Sequence, residues 1–207
     1  KFGGGFSRCQ GRIQNSRFES NEAVEGGALY RCQGILQNSL FQDNRAELGA
    51  ACYMWKGTVR QNTFSYNQAL GGGRGSALWM SAGTLVHANI FYGHTGQVLS
   101  GPTGFRGAAQ NRILENCFHL NADGVFVEDR PGTEGSTIQT ALQLDTIFSW
   151  SRDNFDADPL FVQPAGPDMD PGSVKDNNFH LQAGSACVDR GTFHAFSIIP
   201  VHDLDSN

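Results

Sequence analysis

Three short segments of this chain share one pattern: FESN at residues 18–21, FQDN at residues 41–44 and FSYN at residues 64–67. Their starting positions are evenly spaced, and phenylalanine recurs in the same frame at Phe91 and Phe118, after an interval that is slightly longer and the same both times. A fixed period in the twenties is typical of chains that stack one short structural unit on the next. This repeat therefore decides the fold class.

Other positions of the frame keep their residue type from unit to unit. We expect two columns of side chains to be buried and stacked, namely Phe18, Phe41, Phe64, Phe91 and Phe118, and five residues earlier Ile13, Leu36, Val59, Val86 and Ile113. Three residues after each phenylalanine stand Asn21, Asn44, Asn67, His94 and Asn121. Asparagine tolerates left-handed backbone, so this column predicts a sharp corner between strands. Glycine pairs such as Gly26-Gly27 predict a second corner or the start of a strand.

The unit favours strands over helices. Each glycine inside a helix would cost about 1 kcal/mol, and every unit carries several turn-forming Gly, Asn and Ser residues. Hydrogen-bonded strands lie about 4.8 Å apart, which is the spacing that stacked coils would have. The sequence therefore predicts an all-β, right-handed parallel β-helix. We expect about five regular coils, each of roughly 23–27 residues, over the range 1–129. Irregular terminal coils and a C-terminal cap of the same domain should follow over the range 130–207.

Composition and charge argue against two classes of partner. The net charge is −5 and the basic residues are scattered singly, so the chain lacks the basic surface typical of nucleic-acid binding. No apolar stretch approaches the roughly 18 residues that a membrane-spanning helix needs. The chain begins within a repeat and without methionine, so we expect it to be part of a longer protein.

Five cysteines make an odd number. Cys9 and Cys32 are one repeat apart and occupy the same place in adjacent coils, at a spacing within the disulfide range. They are either stacked, reduced, small apolar residues or a disulfide, and a disulfide would indicate an oxidising compartment. Cys52, Cys117 and Cys187 have no partner at the repeat spacing, and Cys52 falls at a core position.

The C-terminal third carries a more specific pattern. DPLFV at residues 158–162 and NFHLQAGSACVDRG at residues 178–191 resemble the terminal segment of secreted bacterial β-helix proteins, D-P-L-F-V followed by Y/F-H-L-Q-x-G-S-P-A-I-D-x-G. Ala186 stands where that pattern has proline. The GGA[ILV] and FxxN tetrapeptides are similar to the repeats of polymorphic outer-membrane proteins.

The resemblance implies a pectate-lyase-like fold and a secreted, extracellular or cell-surface location. It implies no single activity, because the group mixes adhesins, anchored surface proteins and polysaccharide-active enzymes. Polysaccharide lyases on this fold use carboxylates that hold Ca²⁺, with a lysine or arginine as base. The candidates for these roles here are Asp123, Glu128, Asp129, Arg106 and Arg112. The alternative is that they are solvated charges on irregular loops.

Two further segments begin like calcium-binding loops. Asp168 and Asp170 form one, and Asp203 and Asp205 form the other, but both lack the distal glutamate of a complete loop. Calcium is the one cofactor that the sequence suggests, and we expect that the protein requires no cofactor.

His94 replaces asparagine in its column and is either a ligand or a corner residue that continues the stack.

These observations favour a rigid structural or binding element, adhesin-like, whose partner is a polysaccharide or a surface protein. The alternative is a polysaccharide lyase or glycoside hydrolase on the same fold. An enzyme would place acidic and basic residues together on consecutive coils of one face, whereas a binding module would present an aromatic or amide stripe. The regular coils carry no recurring acidic and basic cluster, so the sequence favours binding.

Overall fold

The computed structural model describes residues 2–101, 111–128 and 137–191, and these form a β-solenoid of about five turns. The predicted fold class is confirmed. The elements in chain order are β1 (Phe6–Ser7), β2 (Gln10–Gln14), β3 (Arg17–Glu19), β4 (Leu29–Tyr30), β5 (Gln33–Gln37), β6 (Leu40–Gln42), β7 (Arg45–Leu48), β8 (Cys52–Arg60), β9 (Thr63–Ser65), β10 (Gln68–Met80), β11 (Leu85–His87), β12 (Ile90–Tyr92), β13 (Gln97–Gly101), β14 (Arg112–Leu114), β15 (Cys117–His119), β16 (Phe126–Glu128), β17 (Thr137–Ile138), α1 (Ala141–Ile147), β18 (Ser151–Arg152), β19 (Phe155–Asp156), β20 (Phe161–Gln163) and β21 (Asn178–Leu181).

The strands line three faces of the coil. Face A contains β1, β4, the start of β8, the end of β10, β13 and β16. Face B contains β2, β5, the rest of β8, β11, β14 and β18, and face C contains β3, β6, β9, β12, β15 and β19. The pairings between successive coils on these faces are parallel and keep the sequence frame, so that Phe18 pairs with Phe41 and Phe41 with Phe64. β8 runs through the corner between faces A and B and joins them into one sheet.

Stacked phenylalanines form one side of the core. Ring centroids along the column are 4.7, 4.9, 5.1 and 5.1 Å apart, and neighbouring rings are within 16° of parallel. The aliphatic column lies opposite on face B, where all its members except the partly buried Ile13 are fully buried. Each coil therefore repeats the same core contacts, and each buried apolar side chain contributes about 1.5–3 kcal/mol.

Asparagine side chains link the coils at both ends of face C. The side-chain oxygen of Asn44 accepts hydrogen bonds from the backbone nitrogen and the side-chain nitrogen of Asn21, at 3.1 and 2.9 Å. In the same way, the side-chain oxygen of Asn67 accepts hydrogen bonds from the backbone nitrogen and the side-chain nitrogen of Asn44, both at 2.9 Å. A second ladder runs through Asn62, Asn89, Asn116 and Asn154 with side-chain bonds of 2.9–3.0 Å. These bonds satisfy amides that would otherwise be buried without a partner.

The left-handed residue at each corner is not the asparagine. It is the residue before it, as at Ser20, Asp43 and Tyr66, whose φ angles are 51°, 50° and 51°. The sequence placed the corner correctly but assigned the turn to the wrong residue. The turn at the preceding residue leaves the asparagine in position to bond the coils on either side.

The regular frame continues further than the sequence indicated. β18 and β19 pair with β14 and β15, and Asn154 extends the second asparagine ladder after a coil of 38 residues. Thr140 caps α1, whose buried residues Ala141 and Leu144 pack on the last coils of the core. The predicted boundary between residues 129 and 130 lies outside the described residues.

The segment after β19 does not continue the stack. β20 and β21 pair antiparallel and lie against face C, where Phe161 contacts Tyr92 edge-to-face at 5.3 Å. Further along, the carbonyl oxygen of Pro171 lies 3.5 Å from the side-chain nitrogen of Gln42. The C-terminal segment therefore folds back along the side of the coils.

Candidate functional site

Face C presents two outward-facing columns to this segment. Successive side chains of a strand point to opposite faces, so the residues on either side of each buried phenylalanine point away from the core. The column before the phenylalanines contains Arg17, Leu40, Thr63, Ile90 and Cys117. This column forms a floor that the C-terminal segment only partly covers.

A groove of about 730 Å³ lies between this floor and the C-terminal segment, and we call it the face C groove. Its floor is formed by Arg17, Leu40, Thr63 and Ile90, and its wall by residues 175–181 and 187–189 with Phe161. The volume lies within the range of small-molecule sites in proteins. The groove is the concave feature that best fits a binding site among the described residues.

Amide and hydroxyl groups converge on the groove from both sides. Asn38, Ser39 and Gln61 lie at the floor edge, while Asn177 and Asn178 belong to the wall. Asn177 is 9% exposed and donates to the carbonyl of Pro171 at 3.1 Å, but its side-chain oxygen has no partner among the described residues. The same holds for the side-chain oxygen of Gln61. Both oxygens are themselves buried, so they are unsatisfied acceptors beneath the groove surface.

Charged groups of both signs stand at the groove. Arg17 and Lys175 supply positive charge, and Asp176 and Asp189 supply negative charge. All four are exposed, so water screens them. The imidazole of His180 is fixed by a 2.6 Å contact of Nδ1 with the side-chain oxygen of Asn178, which makes Nδ1 the donor. The groove combines neutral hydrogen-bonding groups, mixed charge and an apolar floor.

A column of aromatic side chains on the outside of face A is a second candidate. Tyr30, Tyr53 and Trp79 follow one another on consecutive coils, with ring centroids 5.7 and 5.5 Å apart. The two tyrosine rings are nearly parallel and stack on each other, and the guanidinium of Arg31 lies over Tyr30 at 5.1 Å. Because their faces are occupied by these contacts, a ligand would meet ring edges and hydroxyl groups here. The ring of Trp79 is tilted against that of Tyr53 and does not stack on it in this way.

The residues that the resemblance implied for catalysis lie on different faces of the coil. Arg112 begins β14 on face B, Glu128 ends β16 on face A, and Asp123 lies in the turn between faces C and A. The carboxylate of Asp123 accepts a hydrogen bond of 2.8 Å from the backbone nitrogen of Gly96 and so supports the neighbouring coil. None of these three lines the face C groove. Arg106 and Asp129 lie outside the described residues.

The calcium candidates that the structure describes take part in turns. Asp168 accepts from the backbone nitrogen of Asp170 at 3.0 Å, and Asp170 accepts from that of Gly172 at 2.9 Å. The first of these bonds lowers the pKa of Asp168. Within residues 2–101, 111–128 and 137–191, no group of three or more His, Cys, Asp or Glu side chains is arranged to hold a metal ion. Asp203 and Asp205 lie outside these ranges.

His94 lies in the interior of the coil. It is 1% exposed, and its ring nitrogens face the backbone carbonyls of Asn67 and Phe64, each at 3.2 Å. Burial lowers the pKa of His94 to about 4, although the two carbonyl contacts act in the opposite direction. The imidazole therefore continues the polar column as a neutral group.

Cysteines meet at two places. Cys9 and Cys32 form a disulfide between adjacent coils, with Cα atoms 4.6 Å apart. Cys117 and Cys187 also come together, although no repeat spacing connects them.

The sequence signal for the groove wall was the HLQ-containing pattern at residues 178–191, but nothing in that pattern shows which face of the coil it contacts.

Comparison with known proteins identifies one family. The family model described as "Right handed beta helix region" matches residues 5–144, which is more than half of the chain. A search of curated proteins finds no match, and neither does a search of solved structures. The described residues include no helix that is long and apolar enough to cross a membrane. With the fold and the family model in agreement, the chain belongs to the right-handed β-helix family.

Proposed function

We propose that this chain is a carbohydrate-binding module of an extracellular or cell-surface protein, and that the face C groove binds the ligand. The observation that carries the proposal is a groove of about 730 Å³ in which amide and hydroxyl side chains border an apolar floor. The unpaired oxygens of Asn177 and Gln61 lie buried beneath this surface. Because buried polar groups are normally paired, a side-chain shift on binding would give them a partner.

A saccharide fits this combination of groups. Its hydroxyl groups can accept from the side-chain nitrogen of Asn178, while its C–H surfaces can pack on Ile90. Ligand sites in proteins commonly join an apolar lining with a few placed polar groups. The exposed charges of both signs favour neutral or weakly charged sugars over strongly charged ones.

The stacked coils give such a site a stiff support. Asparagine ladders and the phenylalanine stack hold the floor residues in register from coil to coil, so little ordering is needed when a ligand binds. The extracellular location rests on two supports: the similarity to secreted β-helix and polymorphic outer-membrane proteins, and the Cys9–Cys32 disulfide.

Calorimetry with a panel of neutral and acidic oligosaccharides tests the proposal. We expect Asn178→Ala and Lys175→Ala each to weaken binding of the best ligand about tenfold, which corresponds to one lost hydrogen bond of about 1.4 kcal/mol. The matched control is Lys56→Ala, which removes an equally exposed positive charge on β8, far from the groove. Binding that is unchanged by both groove variants but lost in Trp79→Ala would move the site to the aromatic column of face A.

A glycoside hydrolase is the second candidate, because Asp176 and Asp189 both line the groove. Glycoside hydrolysis requires two carboxylates that flank the scissile bond, whereas these two belong to the same wall of the groove, which counts against this candidate. We expect binding without turnover, so the same panel should yield no new reducing ends. New reducing ends that disappear in Asp176→Asn or Asp189→Asn would establish the hydrolase, whereas unsaturated products that disappear in Arg112→Ala or Asp123→Ala would establish a lyase.

A further inference from the structure

Cys117 and Cys187 meet at the end of the groove floor. Cys117 is on β15 and lies next to the floor residue Ile90 in register, and Cys187 belongs to the groove wall. The two thiol groups interact electrostatically, although the residues are 70 positions apart in the sequence. The strand register places Cys117 between Ile90 and Phe155, and the segment that carries Cys187 contacts both of these neighbours. Cys187 lines the groove with Ile90, and Arg190 lies over Phe155. Cys117 is buried, whereas Cys187 is partly exposed.

Contacts on both sides hold this meeting point in place. The sulfur of Cys117 lies 3.2 Å from the carbonyl oxygen of Ala157, and the backbone nitrogen of Cys187 donates to the hydroxyl of Ser185 at 3.1 Å. Three residues later, the guanidinium of Arg190 lies 4.8 Å from the ring centre of Phe155 on β19. The C-terminal segment is therefore fixed against the last coils around the two thiols.

We propose that Cys117 and Cys187 form a second disulfide, which ties the C-terminal segment to the fifth coil and fixes one end of the face C groove. The protein already carries one disulfide, so an oxidising compartment is consistent with the rest of the chain. The five cysteines then resolve into two bridges and the buried thiol of Cys52. This inference does not depend on the ligand of the groove.

The oxidant is a disulfide of the surrounding medium, such as oxidised glutathione or the disulfide of an oxidoreductase. The interaction with the Cys117 thiol lowers the pKa of Cys187, and the same interaction, together with burial, raises the pKa of Cys117. Cys187 is thus the thiolate that attacks one sulfur of the oxidant, forming a mixed disulfide and releasing one thiol. Cys117 then loses its proton and attacks the sulfur of Cys187, and the second thiol leaves. Two protein thiols are oxidised and one oxidant disulfide is reduced.

Thiol counting tests the proposal on the chain as it is. After treatment with oxidised glutathione, the protein is unfolded without reductant and its free thiols are alkylated and counted by mass spectrometry. We expect one alkylated thiol per chain, at Cys52, and a proteolytic fragment pair that links Cys117 to Cys187. Alkylation of both Cys117 and Cys187, or glutathione left on Cys187, would overturn the proposal.

Two variants sharpen the result. Cys187→Ser should raise the count to two by freeing Cys117, whereas Cys52→Ala should lower it to zero and leave the cross-linked fragments unchanged. Hydrogen exchange of residues 158–191 should be slower in the oxidised protein than in Cys187→Ser. Equal exchange in both, with the cross-link absent from the parent protein, would show that the contact is only a packing of two thiols.

Discussion

At the residue scale, each position of the repeat has one physical role that is renewed in every coil. Phe64 is fully buried between the rings of Phe41 and Phe91, at 4.9 and 5.1 Å. Asn44 is fully buried as well, and it donates to the backbone carbonyl of Phe18 in addition to its ladder bonds. Each of these side chains contacts the coil before it and the coil after it, so its removal should weaken both interfaces.

Phe64→Ala should lower the free energy of unfolding by about 3–5 kcal/mol, because it removes a buried ring and leaves a cavity between two neighbours. Urea unfolding followed by fluorescence or circular dichroism measures this. The control is Phe2→Ala, since Phe2 is 54% exposed and should contribute little. A loss below about 1 kcal/mol for Phe64→Ala would contradict the stacked core.

Asn44→Ala should destabilise the protein more than Asn21→Ala. Asn44 has ladder partners on both sides, whereas Asn21 is partly exposed and is bonded within its ladder on one side only. Each buried group left without a partner costs about 1–3 kcal/mol, which sets the expected difference between the two variants. Equal and negligible shifts of the melting temperature in both would argue against the ladder.

Acid should weaken the fold through His94. Its pKa is about 4 in the folded protein against 6.5 in the unfolded chain, so the unfolded chain binds more protons between these values. Stability from this group is therefore present above pH 6.5 and is lost as the pH falls towards 4, on the order of 3 kcal/mol in all. His94→Asn restores the residue type of the column and should flatten this part of the curve. Chemical denaturation at a series of pH values, with parent and variant compared, measures the difference.

At the element scale, the β20–β21 pair is held to the coil by aromatic contacts. Phe161 is 6% exposed and packs edge-to-face on both Tyr92 and Phe179, at 5.3 and 5.1 Å. The neighbouring Val162 is 51% exposed and points to the other side of the strand. One residue of β20 therefore anchors the wall of the groove, and the next does not.

Phe161→Ala should release residues 158–181, the part of the segment before Cys187, from face C while the coils stay folded. Hydrogen exchange should speed up in this segment by at least tenfold and remain slow in β6, β9 and β12, because local opening needs only the local contacts to break. The paired control Val162→Ala should leave the exchange rates unchanged. Faster exchange throughout the coils would mean that the segment stabilises the whole stack.

At the scale of the whole molecule, the chain has two kinds of structure. The coils contact mainly their nearest neighbours, as in other solenoids, so stability is built up interface by interface. The C-terminal segment instead crosses several coils, from Gln42 near one end to Phe155 near the other. The face C groove exists only because this segment lies across the stack.

The repeat alone was enough to predict the coil. A regular period, with one residue type at each place, could be satisfied only by stacking similar units in register, and this made both buried columns predictable. The sixth coil was predicted only as an irregular terminal coil without a register, because its 38-residue length breaks the period even though Asn154 keeps the ladder. The left-handed corner residues were assigned one position too late, since the recurring residue type in each column marks the buried side chain and not the strained backbone.

The position of the groove and the meeting of Cys117 with Cys187 became visible only in the folded chain. Residues 158–191 do not repeat, so no column showed that they would lie on face C, beside Thr63 and Ile90, and not at the end of the coils. The contact between Cys117 and Cys187 joins positions that are far apart in the sequence and depends on that docking. Repetition fixes contacts between neighbours in the stack, whereas the docking of a single segment depends on how its shape fits side chains that are distant in the sequence.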